Sequence, residues 1–201
     1  ILYRLVGSEM CIRDRYSAED VPMILSSEPG VWAYSESGNG TGYSYVTIRG
    51  FDQSRIAVFF DGVPLNDNES HQVYWVDHGD LLSDVDNIQI QRGIGNNLYG
   101  SSAFGGSINV NTKIASDERE ISGTIGSGDW NTQKIRASYR SGSDLGDDLS
   151  LAMRLSDIKS DGYRQFHDSY QRGFSLGLEH RGKAINQFRA LIGYENTDLL
   201  W

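Results

Sequence analysis

The chain has 201 residues, a formal net charge of −9 at pH 7 and an isoelectric point near 4.8. A nucleic-acid partner requires Lys and Arg clustered on one face, so this acidic balance argues against one. The sequence has no apolar run of 18 residues, which excludes a membrane-spanning helix. A membrane-spanning β-strand needs only about 10 residues of alternating polarity and therefore stays possible.

Residues 1–15 are predicted to be a non-native segment. Leu5 to Arg15, L-V-G-S-E-M-C-I-R-D-R, resembles translated sequencing-adapter read-through, although a genuine amphipathic lead-in is the alternative. This segment contains Cys11, the single cysteine of the chain, so the remaining sequence offers no disulfide or cysteine-based metal site. Because Ile1 is not an initiator Met and no signal peptide follows, we expect the chain to be a fragment.

Residues 16–115 show the pattern of a small α+β domain. Short apolar runs such as Arg55 to Phe60 and Asn87 to Gln91 are separated by Gly, Asn, Asp and Pro. A weak helical stretch covers Asp20 to Ser26. This punctuation predicts short strands with tight turns and one short helix.

Residues 116–201 change to period-two alternation, which predicts about five antiparallel strands. In Leu149 to Ser156, Leu and Met alternate with Ser, Ala and Arg, so one face is apolar and the other is largely polar. The same alternation occurs, weakly in the first case, in Ile121 to Ile125, Lys134 to Arg140, Phe174 to Glu179 and Gln187 to Glu195. Alternation alone also fits a soluble sandwich whose apolar face packs on a second sheet.

The predicted connections favour a membrane barrel over a sandwich. Ser141 to Asp148 and Arg181 to Ala184 are predicted to be short turns, whereas Lys159 to Ser169 is predicted to be longer and carries Tyr163 and Phe166. Outer-membrane barrels alternate short periplasmic turns with longer outer loops.

An ordered set of motifs identifies the family that the chain resembles. The motifs are Y-V-T-I-R-G-F at Tyr45 to Phe51, F-F-D-G-V-P-L at Phe59 to Leu65, and I-Q-I-Q-R-G-I-G-N-N-L-Y-G-S-S-A-F-G-G-S-I-N-V-N-T-K at Ile88 to Lys113. This series resembles the plug domain of TonB-dependent outer-membrane receptors, and the alternating segments resemble the first strands of the barrel. The resemblance implies an α+β plug followed by an incomplete transmembrane β-barrel, since a plugged barrel needs about 22 strands.

The resemblance implies receptor-mediated uptake of a scarce solute, of the siderophore, cobalamin or oligosaccharide class, with no enzymatic step and no cofactor. The implied partners are the TonB energy-transducing complex, outer-membrane lipid and a small extracellular solute. The plug is expected in the barrel lumen, with the periplasm below and the medium above. Nothing before Val21 resembles a TonB box, so energy coupling is implied for the parent protein.

Two arginines are predicted to hold plug and barrel together. Arg49 and Arg92 each end an apolar run and precede a glycine, and a buried Arg needs a carboxylate partner. The resemblance implies acidic partners on the barrel wall beyond Trp201; two arginines that merely reach the surface are the alternative. Tight turns or close backbone approach are predicted at Gly50, Gly62, Gly93, Gly100, Gly105 and Gly106.

The resemblance also implies three plug apices that face the medium: Ala33 to Tyr43, Asp52 to Ser54, and Asn66 to Trp75. Aromatic rings beside hydrogen-bonding groups suit a sugar, a siderophore or another amphipathic solute. Packing of Tyr74 and Trp75 against the barrel wall is the alternative. The predicted ligand-binding residues are Tyr34, Glu36, Asn39, Tyr43, Gln53, Asn68, Glu69, His71, Tyr74 and Trp75.

Two further hypotheses concern other classes of protein. A hydrolase or metal site could use His71, Asp77, His78 and Asp80, with Glu69 nearby, but their spacing matches no helix-borne metal pair. No Gly-x-Ser-x-Gly motif accompanies them. A soluble adhesin or lectin domain with calcium in its acidic loops is the other reading; neither hypothesis explains the order of the motifs.

Overall fold

The computed structural model describes residues 2–4, 20–38, 40, 42–78, 85–93, 103–112, 118–142, 144–145, 148–166, 168–181 and 187–199. The chain divides into two compact units, Ile1–Thr112 and Lys113–Trp201. Among the described residues, no helix has the length and apolar character needed to cross a membrane.

The first unit combines one short helix with short strands. In chain order, its elements are β1 (Leu2–Arg4), α1 (Val21–Leu25), β2 (Val31–Ser35), β3 (Ser44–Ile48), a 3-10 turn (Gln53–Arg55), β4 (Ile56–Phe60), β5 (Val63–Pro64), a second 3-10 turn (Trp75–His78), β6 (Val85–Arg92) and β7 (Gly106–Thr112). Pro22 lies in the first turn of α1, where a missing backbone N–H costs nothing.

A mixed five-stranded sheet with the order β1-β6-β7-β4-β5 forms the framework of this unit. β4 and β7 are parallel, from Ile56 opposite Gly106 to Phe60 opposite Val110, and the other pairs are antiparallel. Parallel neighbours need a long crossover, and the chain between Phe60 and Gly106 supplies it.

The edge strand β1 belongs to residues 1–15, the segment that is predicted from the sequence to be non-native. Leu2 lies opposite Gln91 and Arg4 opposite Gln89, so this short piece pairs antiparallel with β6. The backbone of an edge strand offers unpaired N–H and C=O groups to any extended chain, which is a physical reason for the pairing.

The core of the first unit lies against the central strands β4 and β7. The buried apolar residues of these strands, Ile56, Val58, Ile108 and Val110, are all β-branched, as expected for buried positions of a sheet. The buried apolar cluster consists of Val21, Leu25, Val31, Val46, Ile48, Ile56, Val58, Val73, Trp75, Ile88, Ile90, Ile108 and Val110.

Two glycines allow β7 to enter this sheet. A Cβ atom at Gly106 would lie 2.3 Å from the carbonyl oxygen of Gln91, and one at Gly105 would lie 2.6 Å from Cβ of Phe51. Gly106 also has a φ of 153°. A side chain at either position would collide with neighbouring atoms, so the close approach requires glycine.

The other glycines singled out in the sequence lie at turns. Gly50, Gly62 and Gly93 have φ angles of 81°, 82° and 92°, in the region that favours glycine. Gly100 lies outside the described residues.

The second unit is an antiparallel meander in which each strand pairs with the next. Its strands are β8 (Glu120–Gly128), β9 (Thr132–Arg140), β10 (Leu149–Ser160), β11 (Ser169–Arg181) and β12 (Gln187–Leu199). All five alternating segments of the sequence lie within these strands.

The predicted contrast in connection length is wrong for two of the connections. β10 continues to Ser160, which lies opposite Ser169, so the ladder includes both ends of the predicted long loop. The connections 141–148 and 161–168 are consequently equally long. Polar Lys159 and Ser160 continue a strand because the ladder needs only backbone groups. The predicted turn Arg181 to Ala184 lies mostly outside the described residues.

The second sheet has its polarity inverted relative to a soluble protein. Its apolar face is exposed, with Ile125 86% accessible and Ile121, Ile135 and Leu155 also exposed. The opposite face buries Ile158 together with six polar side chains, namely Lys134, Ser156, Ser160, Ser169, Gln171 and Glu179. A soluble sandwich buries its apolar face, whereas a membrane barrel turns it to lipid. The arrangement favours the membrane barrel.

Replacing Gly106 with Ala should destabilise the first unit by about 2–4 kcal/mol, since the new Cβ would collide with the Gln91 carbonyl and adopt a strained φ. Gly62→Ala is the matched control, because Gly62 has a φ of 82° but open space around it; it should cost about 1 kcal/mol. Urea denaturation followed by tryptophan fluorescence measures both. Equal losses would contradict a steric role for Gly106.

Candidate functional site

A row of three aromatic rings covers one face of the hairpin formed by β2 and β3. Tyr34 lies directly opposite Tyr45, and their rings stack with centroids 4.9 Å apart. The ring of Trp32 follows at 5.1 Å from that of Tyr34. Trp32 is 58% and Tyr34 41% exposed, although the other face of the hairpin is buried in the core. We call Trp32, Tyr34 and Tyr45 the aromatic row.

The aromatic row ends at a fixed carboxylate. The hydroxyl of Tyr45 donates to Oε1 of Glu36 over 3.1 Å. Burial, followed by this hydrogen bond, raises the pKa of Tyr45 to about 12, so the hydroxyl stays protonated and keeps donating at neutral pH. The backbone N–H of Glu36 donates to the carbonyl of half-buried Tyr43, which extends the hairpin. Asn39 lies outside the described residues.

The side chain of Asn66 fastens a second loop, residues 66–72, to β4. Its Oδ1 accepts from the backbone N–H of Val58 over 2.7 Å. Its Nδ2 donates to the carbonyls of Ile56 and His71, both over 2.9 Å. One amide thus satisfies backbone groups of a strand and of the loop, which fixes the loop relative to the sheet.

Asp67 organises the interior of the same loop. Its Oδ1 accepts from the backbone N–H of Ser70 over 2.7 Å, the hydroxyl of Ser70 over 2.8 Å and the N–H of Glu69 over 3.1 Å. These hydrogen bonds, led by that from the Ser70 backbone, hold the pKa of Asp67 below its ordinary value. Because this carboxylate accepts from donors that would otherwise bind water, the loop holds its shape before any ligand binds.

The pre-formed loop presents three of the predicted ligand-binding residues to solvent. Asn68, Glu69 and His71 are exposed, and His71 adopts a φ of 57°. Tyr74 is also exposed and its hydroxyl lies 3.4 Å from that of Ser70. These side chains are available to a ligand without rearrangement of the loop.

Two predicted ligand-binding residues are buried. Gln53 donates through Nε2 to Oε1 of Gln72 over 3.2 Å, and Trp75 is 1% exposed within the core cluster. In this conformation neither side chain is at the surface. The signal for Trp75 was in the sequence: Val73 and Trp75 share one face of an extended segment, and Tyr74 lies on the other.

The sequence prediction omitted two members of the aromatic row, Trp32 and Tyr45. The period-two spacing of Trp32, Tyr34 and Glu36 on one strand, with Tyr43 and Tyr45 on the next, could have identified them. Pairing of the two strands was required to show that these side chains share one face.

Arg49 and Arg92 converge at the opposite end of the hairpin, at the Pro29–Gly30 turn. Nη1 of Arg92 donates to the carbonyl of Pro29. A Cβ at Gly30 would lie 3.8 Å from Cγ of Arg49 and 3.9 Å from Nη1 of Arg92. A Cβ at Gly93 would lie 3.2 Å from Nη1 of Arg49, so the guanidinium group of Arg49 lies beside the residue that follows Arg92. Within the part of the chain that the structure describes, no carboxylate forms an ion pair with Arg49.

The residues of the hydrolase and metal hypotheses do not form a cluster in the described residues. His71 and Asp77 are exposed, and burial lowers the pKa of half-buried His78. Asp80 lies outside the described ranges. No group of three or more His, Cys, Asp or Glu side chains within those ranges could hold a metal ion.

Residues 8–107 match the family model described as "TonB-dependent Receptor Plug Domain". The chain belongs to the family of TonB-dependent receptors. It is 32% identical to the vitamin B12 transporter BtuB of Vibrio vulnificus strain YJ016 over 70% of this chain and 22% of BtuB. It is 27% identical to the ferric enterobactin receptor PirA of Pseudomonas aeruginosa over 94% of this chain and 26% of PirA. The chain thus spans about a quarter of the length of these relatives.

Solved structures of the family have the same fold. The pyoverdine-bound FpvA of P. aeruginosa superposes with a TM-score of 0.78 at 14% identity, covering 98% of this chain and 25% of FpvA. The unliganded ferric citrate transporter FecA superposes with a TM-score of 0.77 at 18% identity, covering 100% of this chain and 31% of FecA. The predicted fold class is confirmed: a plug domain is followed by antiparallel strands, and the barrel is not closed in this chain. At the level of the family, these proteins are transporters and receptors rather than enzymes.

Asp67→Ala should loosen the loop 66–72, because the three hydrogen bonds to its carboxylate are lost. Hydrogen exchange of peptides covering this loop, followed by mass spectrometry, should become faster. Since the folded pKa of Asp67 is lowered, the wild-type loop should keep its stability above the ordinary carboxyl pKa and lose it as the pH falls through the folded value.

Asp86→Ala provides the matched control for this experiment, because Asp86 is an exposed carboxylate on β6 whose one side-chain hydrogen bond among the described residues comes from its neighbour Asn87. Its removal should leave exchange in the loop 66–72 unchanged. Unchanged exchange in Asp67→Ala would show that Asp67 does not organise the loop.

Proposed function

We propose that the whole protein is a ligand-gated outer-membrane receptor that takes up a scarce solute into the periplasm with energy from the TonB complex. One observation carries the proposal: a plug unit is followed in the same chain by a sheet whose apolar face is exposed and whose polar face is buried. That polarity suits strands in contact with lipid.

The ligand surface in this proposal consists of the aromatic row and the loop 66–72. Both are held by hydrogen bonds within the plug unit, so a ligand meets a largely pre-formed surface. Uptake makes and breaks no covalent bond. The chain therefore supplies binding and gating groups and no catalytic residue.

The ligand class is of the siderophore, cobalamin or oligosaccharide type. The two relatives reported above carry the names of vitamin B12 and ferric enterobactin, and both solutes are natural first probes. In this proposal the plug occupies the barrel lumen, and the TonB complex contacts a TonB box outside the plug motifs. A soluble adhesin finds no support, because its sheet would have to bury the face that is exposed here.

Uptake by the full-length protein tests the proposal. We expect outer membranes that contain it to bind one of three labelled probes, namely cyanocobalamin, ferric enterobactin or maltoheptaose. Uptake of that probe into cells should cease when the TonB gene is deleted or a protonophore is added, whereas binding persists. A soluble product without heat-modifiable gel mobility, or uptake that is independent of TonB, would refute the proposal.

Arg49→Ala and Arg92→Ala should each weaken attachment of the plug, if the two guanidinium groups share a carboxylate from another part of the protein. In the full-length receptor, the urea midpoint for plug release should fall. The double variant should fall by less than the sum of the single variants, because both lose the same partner. Arg49→Lys should rescue only in part, since an ammonium cannot form the paired hydrogen bonds of a guanidinium.

Arg55→Ala is the control for this series. Arg55 is exposed at the end of the first 3-10 turn and outside the Pro29–Gly30 turn, so its removal should leave the midpoint unchanged. If Arg49→Ala behaves like Arg55→Ala, the two converging arginines do not anchor the plug.

A further inference from the structure

The exposed face of the second sheet changes from apolar to charged over a single step along β10 and β11. On this face Leu155 lies opposite Phe174, and the next pair on the same face is Asp157 opposite Arg172. Neighbours on one face of a strand are about 7 Å apart. On these two strands the apolar surface therefore ends at a row that carries a fixed positive charge.

Three contacts hold the guanidinium group of Arg172 in one position. Its Nε donates to Oδ2 of Asp157 over 3.0 Å. The hydroxyl of Tyr170 donates to the same oxygen over 2.9 Å, which fixes the carboxylate. The central carbon of the guanidinium group lies 4.6 Å from the centroid of the Tyr170 ring, where the ring face attracts a cation. Asp157 and Tyr170 thus orient Arg172 on the exposed face.

The oriented guanidinium group keeps donors for a further acceptor. Its hydrogen bond to Asp157 uses Nε, and the side chain of Arg172 stays 64% exposed. Lys159 lies opposite Tyr170 in the next row and is also exposed. Among the side chains that the structure describes, no carboxylate other than Asp157 forms an ion pair with Arg172 or Lys159. The outer nitrogens of an arginine next to an ammonium group suit the oxygens of a phosphate.

Amphipathic aromatic side chains lie at the same end of the sheet. Lys159 lies opposite Gln133, close to the β8–β9 turn and the β10–β11 connection. Trp130 in that turn is 44% exposed and Tyr163 in that connection is 64% exposed, and their rings meet edge to face at 5.4 Å. The backbone N–H of Asp161 donates to the carbonyl of Trp130, which joins the two connections. Trp and Tyr gather where hydrocarbon meets water, so this end of the sheet has the composition of a membrane boundary.

We propose that Arg172 and Lys159 bind the phosphate of a membrane phospholipid whose acyl chains lie along Leu155 and Phe174. The inference rests on the proposed function, in that the exposed apolar face contacts lipid. A phospholipid fits better than free phosphate because the two cations continue directly into the apolar face, and only an amphiphile matches both. Asp157 and Tyr170 are positioning residues that act through Arg172.

Lipid binding to the purified full-length receptor in dodecyl maltoside gives the first test. Native mass spectrometry counts the phosphatidylglycerol molecules that the receptor retains and gives a dissociation constant for each. Arg172→Gln should weaken one of these binding steps roughly tenfold, because charge-assisted hydrogen bonds to the phosphate are lost. Arg172→Lys should retain part of the affinity, since an ammonium group is charged but cannot bind two oxygens in parallel.

Three controls show whether the phosphate of a lipid is recognised. Arg164→Gln removes an exposed arginine from the β10–β11 connection, outside the sheet face, and should leave every constant unchanged. Diacylglycerol has the same acyl chains without the phosphate, so its binding should not depend on Arg172. Millimolar inorganic phosphate should not displace phosphatidylglycerol, because it lacks the acyl chains.

Spin labels measure where the hydrocarbon ends. Leu151→Cys, Leu155→Cys and Lys159→Cys each place a nitroxide on the exposed face of β10, in a receptor without other cysteines in phospholipid vesicles. Collisions with oxygen should dominate at residues 151 and 155, whereas collisions with a water-soluble nickel chelate should dominate at residue 159. A label at Ala152→Cys on the opposite face should have lower access to oxygen than its two neighbours.

The two measurements separate this inference from the proposed function. Unchanged binding of phosphatidylglycerol to Arg172→Gln, with residues 151 and 155 in hydrocarbon, would overturn the phosphate site and leave the membrane barrel intact. Equal weakening of diacylglycerol, or displacement of the lipid by inorganic phosphate, would also overturn it. Dominant nickel collisions at all three positions of the exposed face would refute both the site and the membrane barrel.

Discussion

The close packing of β7 between β6 and β4 is the contact on which the rest of the plug unit depends. Gly106 brings the backbone of β7 to the carbonyl of Gln91, and β4 pairs with the same strand in parallel on its other side. β6 then ends at Arg92, beside the Pro29–Gly30 turn, and β4 offers Ile56 and Val58 to the side chain of Asn66. The strands β6, β7 and β4 thus position both the arginine pair and the loop 66–72.

The second unit shows why a sequence pattern can locate strands without deciding their environment. Alternation in Leu149 to Ser156 predicts a two-faced strand equally well for a sandwich and for a barrel. Exposure decides between them, because Ile125 and Leu155 are open on one face whereas Gln171 and Glu179 are buried on the other. Whether a face contacts water, lipid or protein depends on the assembled sheet and cannot be predicted from one strand alone.

The same distinction explains which parts of the site could be predicted. Motifs around Gly50 and Gly106 specify backbone geometry locally, and both positions could be singled out from sequence. Pairing between distant segments could not: Trp32 and Tyr45 become one surface only through the register of β2 and β3. Likewise, the polar composition of its loop predicts that Trp75 is exposed, yet its side chain packs in the core against β4 and β7. Burial depends on long-range contacts, and single-sequence reasoning sees those only as periodicity.

The hairpin of β2 and β3 carries positively charged side chains at one end and a carboxylate at the other. At one end the N–H of Arg49 donates to the carbonyl of Gly30, where Arg92 also converges; at the other end Glu36 continues the ladder with Tyr43. The aromatic row lies between these ends on the exposed face, and buried Val46 and Ile48 support the opposite face. A ligand in contact with the row would act on an element whose far end carries the two converging arginines. Such a continuous element is necessary if ligand binding is to act mechanically on the arginines. Coupling also requires that the arginine pair has two alternative arrangements and that the ligand favours one of them.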